Sequence, residues 1–174
     1  AGGEDFNEVV FDNVLVPKDR IVGEPGNGWQ QVTSELAYER SGPERFLSSF
    51  RVFVELVRIC GDSPSPHQAA AIGRIASHFM TLRRMSLSVA GMLEAGKDVS
   101  VEAALVKELG NNFEKLLPEI ARLVVPDLSA VDPDKQRLFR ETFEETLMLS
   151  PSFTLRGGTR EIMRGVIARG LGLR

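Results

Sequence analysis

The feature that most constrains the fold is an apolar stripe through Ile72, Ile75, Phe79, Leu82, Met85, Val89 and Met92, introduced by Ser65-Pro66 and followed by Gly96. Steps of three and four residues put these side chains on one face of a helix. A serine cap, a proline in the first turn and a glycine beyond the end are the punctuation of a complete α-helix. A long helix with one apolar face must bury it, so the rest of the chain has to supply covering elements.

The remaining sequence supplies helices. Trp29, Val32, Leu36, Phe46, Phe50, Phe53, Leu56 and Val57 recur at mostly helical spacing up to about Cys60, and Gly42-Pro43 is predicted to kink or interrupt that run. Ser100 can cap a helix whose apolar face is Leu105, Leu109, Phe113, Leu116, Ile120 and Leu123, with Pro118 as a bend and Pro126 as its stop. Asp132-Pro133 opens another, with Leu138, Phe139, Phe143, Leu147 and Met148 turned inward and Pro151 beyond it. After Arg156-Gly157-Gly158, Thr159 can cap a last helix with Ile162, Met163, Val166 and Ile167 inside. The pattern predicts an all-α fold, an antiparallel four-helix up-and-down bundle with a short C-terminal helix. Ahead of it, Val9, Phe11, Val14 and Val16 alternate in the β manner around Asp12-Asn13, which predicts a short β-hairpin too small to stand as a sheet without a larger partner.

Composition narrows the function classes. The 174 residues are 43% hydrophobic, enough for one core. A net charge of -3 and a pI near 5.5 give no overall attraction to nucleic acid or to an anionic membrane. Cys60 is the lone cysteine and no apolar run is long enough to span a bilayer, which leads to the expectation of a soluble, cytoplasmic protein. His67 and His78 lack metal-ligand spacing, so no metal is expected. Gly73, Gly91 and Gly110 inside helices suggest close helix approach, and the terminal arginines Arg160, Arg164, Arg169 and Arg174 read as a solvated helix face or as partners in salt bridges between subunits.

The two ends carry the specific signal. Phe6-Asn7-Glu8-Val9-Val10-Phe11-Asp12-Asn13-Val14-Leu15-Val16-Pro17, then Val22-Gly23-Glu24 and Gly26-Asn27-Gly28-Trp29, resemble the junction between the middle and C-terminal domains of acyl-CoA dehydrogenases. Arg156-Gly157-Gly158-Thr159-Arg160-Glu161-Ile162-Met163-Arg164-Gly165-Val166-Ile167-Ala168-Arg169 is similar to the closing motif of that family. The resemblance implies that residues 1–26 are the end of a middle β-domain and its linker, and 27–174 the C-terminal helical-bundle domain. It also implies that the remaining domains lie outside this chain, which alone would then be inactive.

Members of that family oxidise an acyl-CoA to the α,β-enoyl-CoA, a carboxylate taking the α-proton and FAD taking the β-hydrogen as hydride. A weak carbon acid needs a base placed beside the thioester and donors where negative charge develops. Many members carry the base just before the Gly-Thr of the closing loop, where this chain has Gly157. A branch that includes the isovaleryl and long-chain enzymes carries it in a Glu-Arg pair on the first long helix, and Tyr38-Glu39-Arg40 resembles that pair. By this resemblance Glu39 is the candidate base, Arg40 and Gly158 candidate substrate contacts, and Thr159 and Glu161 candidate cofactor contacts, with Glu161 standing where a glutamine is common. Independently of the family, Gly157-Gly158-Thr159 at a helix start offers free backbone N–H groups and a hydroxyl, which suit an anion or simply cap the helix.

Two family segments are not recognisable, the Arg-x-x-Phe-Gly and Gln-x-x-Gly-Gly-x-Gly stretches of homotetrameric members. This chain has Val57-Arg58-Ile59-Cys60-Gly61-Asp62 and Glu144-Glu145-Thr146-Leu147-Met148-Leu149-Ser150 at the corresponding places. The expectation is a homo- or hetero-oligomer formed through helical faces, similar to bacterial heteromeric relatives, with an electron-transfer flavoprotein as acceptor. The other class left open is a non-catalytic helical assembly subunit whose flavin site has decayed.

Overall fold

The computed structural model describes residues 7–173, and Phe6, the first residue of the junction motif, lies outside them. Six α-helices follow one another: α1 Gly28–Ser41, α2 Phe50–Cys60, α3 Pro66–Glu94, α4 Ser100–Val124, α5 Pro133–Leu149 and α6 Arg160–Gly170. Every other helix touches α4. No helix among the described residues is long and apolar enough to cross a membrane.

The long run up to Cys60 is interrupted, as Gly42-Pro43 suggests. Proline disfavours helical backbone in the residue before it, and Gly42 turns extended at ψ 157°. A 3-10 turn at Pro43–Arg45 leads on to α2. α3 begins with a reciprocal capping box between Ser65 and Gln68. Gln68 also donates to the carbonyl of Val124, tying the start of α3 to the last turn of α4. Asp132 caps α5 through the N–H groups of Asp134 and Lys135. Ser100, by contrast, is inside α4, and Asp98 makes the capping bonds, accepting from the Ser100 N–H and hydroxyl.

Pro118 sits fully buried inside α4. Its missing N–H leaves the carbonyl of Glu114 without a helical donor, and the Ser49 hydroxyl takes that place at 2.9 Å. The core is centred on Phe79, which meets Phe50 and Phe113 edge-on at 5.0 and 4.8 Å between centroids.

The predicted hairpin does not form. No strand occurs among the described residues, and the segment ahead of α1 is irregular, with a 3-10 turn at Lys18–Arg20, bends at Asn13 and Gly23 and a turn at Pro25-Gly26. Strand-like alternation needs a sheet to join, and here Val9, Phe11, Val14 and Val16 stay exposed. The side chain of Gln31, donating to the carbonyl of Val22, ties this segment back to α1.

The inward face of α4 also differs from expectation. Leu109, Leu116 and Leu123 are exposed, whereas Lys107, Asn111 and Glu114 are fully buried. The face that meets the other helices combines Val106, Phe113, Leu117 and Val124 with the small residues Ala103, Ala104, Gly110 and Ala121, which let backbones approach; of the expected stripe, Phe113 is buried. A Cβ at Gly110 would run into the carbonyl oxygen of Arg45, while Gly73 and Gly91 face open space and have no close neighbour to explain them.

Candidate functional site

Three pieces of chain converge on the polar side of α4: the end of α1, the turn that follows it, and the loop before α6. Arg40, on α1, donates from Nε to the carbonyl oxygen of Gly157 at 3.1 Å. Its neighbour Glu39 lies against the same glycine, with Oε1 3.1 Å from where a Cβ would stand. Gly157 and Gly158 have φ of +63° and +100°, so the loop depends on glycine at both places. A Cβ at Gly158 would come within 3.0 Å of Met163 Cε and 3.8 Å of Arg40 Nη2. The structure thus brings the adjacent pair Glu39 and Arg40 together with Gly158, more than a hundred residues further along the sequence.

Thr159 stands at the N-cap of α6 without a side-chain capping bond. Glu161 is in the first turn and exposed, and hydrogen bonds from its own N–H and from the Thr159 side chain hold its carboxyl below the usual range. That carboxylate occupies the helix N-terminus, where an external anion would otherwise find its donors.

Beneath the loop lies a row of polar groups that the leucine pattern of α4 conceals. Arg45, 5% exposed, bonds Glu39 Oε1 from Nη2 at 2.8 Å. Lys107 is fully buried, its Nζ has no hydrogen-bond partner, and its Cε is 3.4 Å from the Cβ position of Gly157. Burial first, then the nearby Arg45 charge, push its pKa down to about 8. Asn111, one turn along, has both amide atoms unpartnered. Glu114 accepts from Ser48 N–H at 2.6 Å and from Arg156 Nη2 at 3.0 Å, yet burial outweighs both and raises its pKa.

At the far end of this row Glu108 accepts from Arg160, Arg164 and Asn112. Burial opposes its charge, but those hydrogen bonds prevail and hold its carboxyl low. Arg160 and Arg164 therefore serve as internal salt-bridge partners. Arg45, Lys107 and Arg156 were missed in the sequence. Their one signal is the spacing of Lys107, Asn111 and Glu114 at i, i+4 and i+7, which reads equally well as a solvated face.

Around Glu39 the cations Arg40, Arg45, Lys107 and Arg156 are matched in number by the carboxylates Glu39, Glu44, Glu108 and Glu114. Arg40 and Arg45 are the cations that bond directly at the Glu39–Gly157 contact. The Glu39 side chain is 42% exposed, so an external molecule can reach the carboxylate. A separate apolar groove of about 570 Å³, lined by Phe46, Phe50 and Met80, lies between the 43–50 turn and α3 and does not include Glu39.

No family model matches the chain. It is 27% identical over 179 residues to the acyl-CoA dehydrogenase IpdE1 of Mycolicibacterium smegmatis, covering 99% of this chain and 44% of that protein. It is 29% identical over 177 residues to IpdE1 of Mycobacterium tuberculosis, covering 99% and 45%. Against the acyl-CoA dehydrogenase FadE34 of Mycobacterium tuberculosis the identity is 26%, over 98% of this chain and 23% of that protein. Among solved structures, glutaryl-coenzyme A dehydrogenase in its glutaryl-CoA complex aligns with a TM-score of 0.69 at 19% identity, over 94% of this chain and 42% of that one, a likeness of fold. The chain is similar to the C-terminal helical region of acyl-CoA dehydrogenases, and it spans less than half the length of these relatives.

Proposed function

We propose that this chain is the C-terminal helical domain, residues 27–174, of a flavin-dependent acyl-CoA dehydrogenase, preceded at 1–26 by the end of a middle domain. Glu39 takes the α-proton of an acyl-CoA. The observation that carries the reading is the meeting of Glu39, Arg40 and the Gly157-Gly158 loop, with the Glu39 carboxylate filling the space that a side chain at position 157 would need. One carboxylate, reachable from outside and held beside a glycine loop next to Arg40 and Arg45, is what removal of a proton next to a thioester requires.

The residues present fit one edge of a large cofactor. Gly157 and Gly158 add no side chain to the loop, and Thr159 stands next to them at the N-cap of α6. Gly158 and Arg40 face the substrate in this reading, and Thr159 and Glu161 the cofactor. The Glu161 charge repels a diphosphate, so its contact is with an uncharged part. FAD would supply the hydride acceptor for the β-hydrogen. The exposed apolar residues Val9, Phe11, Val14 and Val16 pack against a middle domain, and the outward leucines of α4 support association through helical faces. Most of the cofactor walls then lie outside these residues, so the chain alone is inactive. The electron acceptor is an electron-transfer flavoprotein.

The test is the flavin absorbance of the intact parent protein, with its middle domain, and its bleaching by acyl-CoA without oxygen. Bound flavin that bleaches supports the reading. Protein without flavin, alone or with a partner subunit, would favour a helical assembly subunit, the reading to which the two unrecognisable family segments point.

A further inference from the structure

We propose that Arg45 is the positioning residue of this site, clamping Glu39 at two points so that its carboxylate is held against the Gly157 loop. The inference rests on the reading of Glu39 as the base and adds the device that orients it. It begins with a backbone group. In a continuous helix the carbonyl of Glu39 would accept from the N–H of residue 43, but residue 43 is proline. The carbonyl is thus orphaned at the end of α1. Arg45 Nε takes it at 2.8 Å, and the same guanidinium then delivers Nη2 to Glu39 Oε1 at 2.8 Å.

Both bonds of one planar group therefore end on one residue. The carbonyl bond fixes where the guanidinium lies, and the guanidinium fixes the glutamate rotamer. Arg45 is itself anchored, because α4 passes close to its carbonyl at Gly110, where no side chain could fit, and its own side chain is buried. Glu44 is a further acidic neighbour, 3.8 Å from Nε and half-exposed, beyond hydrogen-bond reach. Without the clamp, Glu39 would be a partly exposed glutamate with three free rotors, spending much of its time away from the loop. Arginine is required because a lysine ammonium is a single point that cannot span carbonyl and carboxylate in fixed geometry.

The experiment compares wild type, Arg45→Met, Arg45→Lys and Glu39→Gln in the flavin-loaded protein, following flavin bleaching against acyl-CoA concentration. A positioning role predicts that Arg45→Met lowers the limiting bleaching rate by about ten-fold or more while the half-saturating concentration changes by less than about two-fold. Arg45→Lys should recover only part of the rate. Thermal midpoints of Arg45→Met, Glu39→Ala and the double variant give a readout independent of catalysis. Coupling should appear as a double variant about 2 °C or more above the additive expectation. A wild-type limiting rate in Arg45→Met, or strictly additive midpoints, would overturn the clamp. If Glu39→Gln itself bleaches at the wild-type rate, the base assignment fails, and that outcome is separate from a clamp that fails while Glu39 remains essential.

Discussion

The carboxylate of Glu39 and the α-carbon of Gly157 share one small volume: Oε1 lies 3.1 Å from the place a Cβ would occupy, and Lys107 Cε lies 3.4 Å from it on another side. A side chain on the loop and a carboxylate from the helix are alternatives for this space. Gly157→Ala must therefore move one of them and must also hold alanine at φ +63°. The left-handed backbone alone costs about 1–2 kcal/mol. We expect a matching loss in urea denaturation, together with slower acyl-CoA bleaching. A variant as stable as wild type would mean that the loop relaxes freely.

The helical glycines give a sharper contrast. Gly110→Ala pushes a methyl into the carbonyl of Arg45 and should destabilise by about 1–3 kcal/mol, as overpacking does. Gly73→Ala, with open space around it, should stabilise by about 0.5–1 kcal/mol through helix propensity. Denaturation midpoints of the two variants should move in opposite directions.

Lys107 links stability to pH. Its pKa falls from 10.5 to about 8 on folding, so between those values the unfolded chain binds more protons than the folded one. Stability from this group therefore rises with pH across that window, by up to about 3 kcal/mol, and is lost again as pH falls through about 8. Lys107→Met removes the group. Its advantage over wild type in urea should be greatest at pH 7 and fade by pH 10.5. Parallel pH curves for the two proteins would contradict this.

Arg156 neutralises a carboxylate that has no access to solvent. Glu114 is fully buried, and Arg156→Met leaves it with its Ser48 contacts and the more distant Arg45 charge, without a directly bonded cation. Removing one partner of such a pair costs about 3–5 kcal/mol, here toward the lower end because Arg156 is itself 35% exposed. Much of that loss should return in Arg156→Met/Glu114→Gln, since glutamine carries no charge to strand. Thermal melts of the single and double variants check both statements.

Much of the helical frame was legible because it rests on local signals. Ser65-Pro66, Gly42-Pro43 and Asp132-Pro133 act through proline geometry and capping, which need no tertiary context, and the structure uses all three. The orientation of α4 was not legible. Its leucine stripe shares only Phe113 with the buried face, which carries Val106, Leu117 and small residues together with Lys107, Asn111 and Glu114, because the helix lies at the centre and meets every other helix. Periodicity ranks faces by hydrophobicity, and here close backbone approach and ion pairing decided the matter.

The site was half legible. Glu39, Arg40 and Gly158 stand out through motif likeness, and the structure brings them together. Arg45 was hidden because its role depends on an orphaned carbonyl created by Pro43, visible only once α1 is known to end at Ser41. The hairpin was over-read, since alternation records a preference for a sheet and not the presence of its partner strands.

The central claim is that Glu39 removes a substrate proton, and the direct measurement is the rate of anaerobic flavin bleaching by acyl-CoA in Glu39→Gln set against wild type at equal flavin content. The account predicts a loss of about a thousand-fold or more with flavin and acyl-CoA binding retained, because glutamine keeps the shape and the Arg45 contact but cannot take a proton. Bleaching at the wild-type rate in Glu39→Gln would place the base elsewhere and contradict the account.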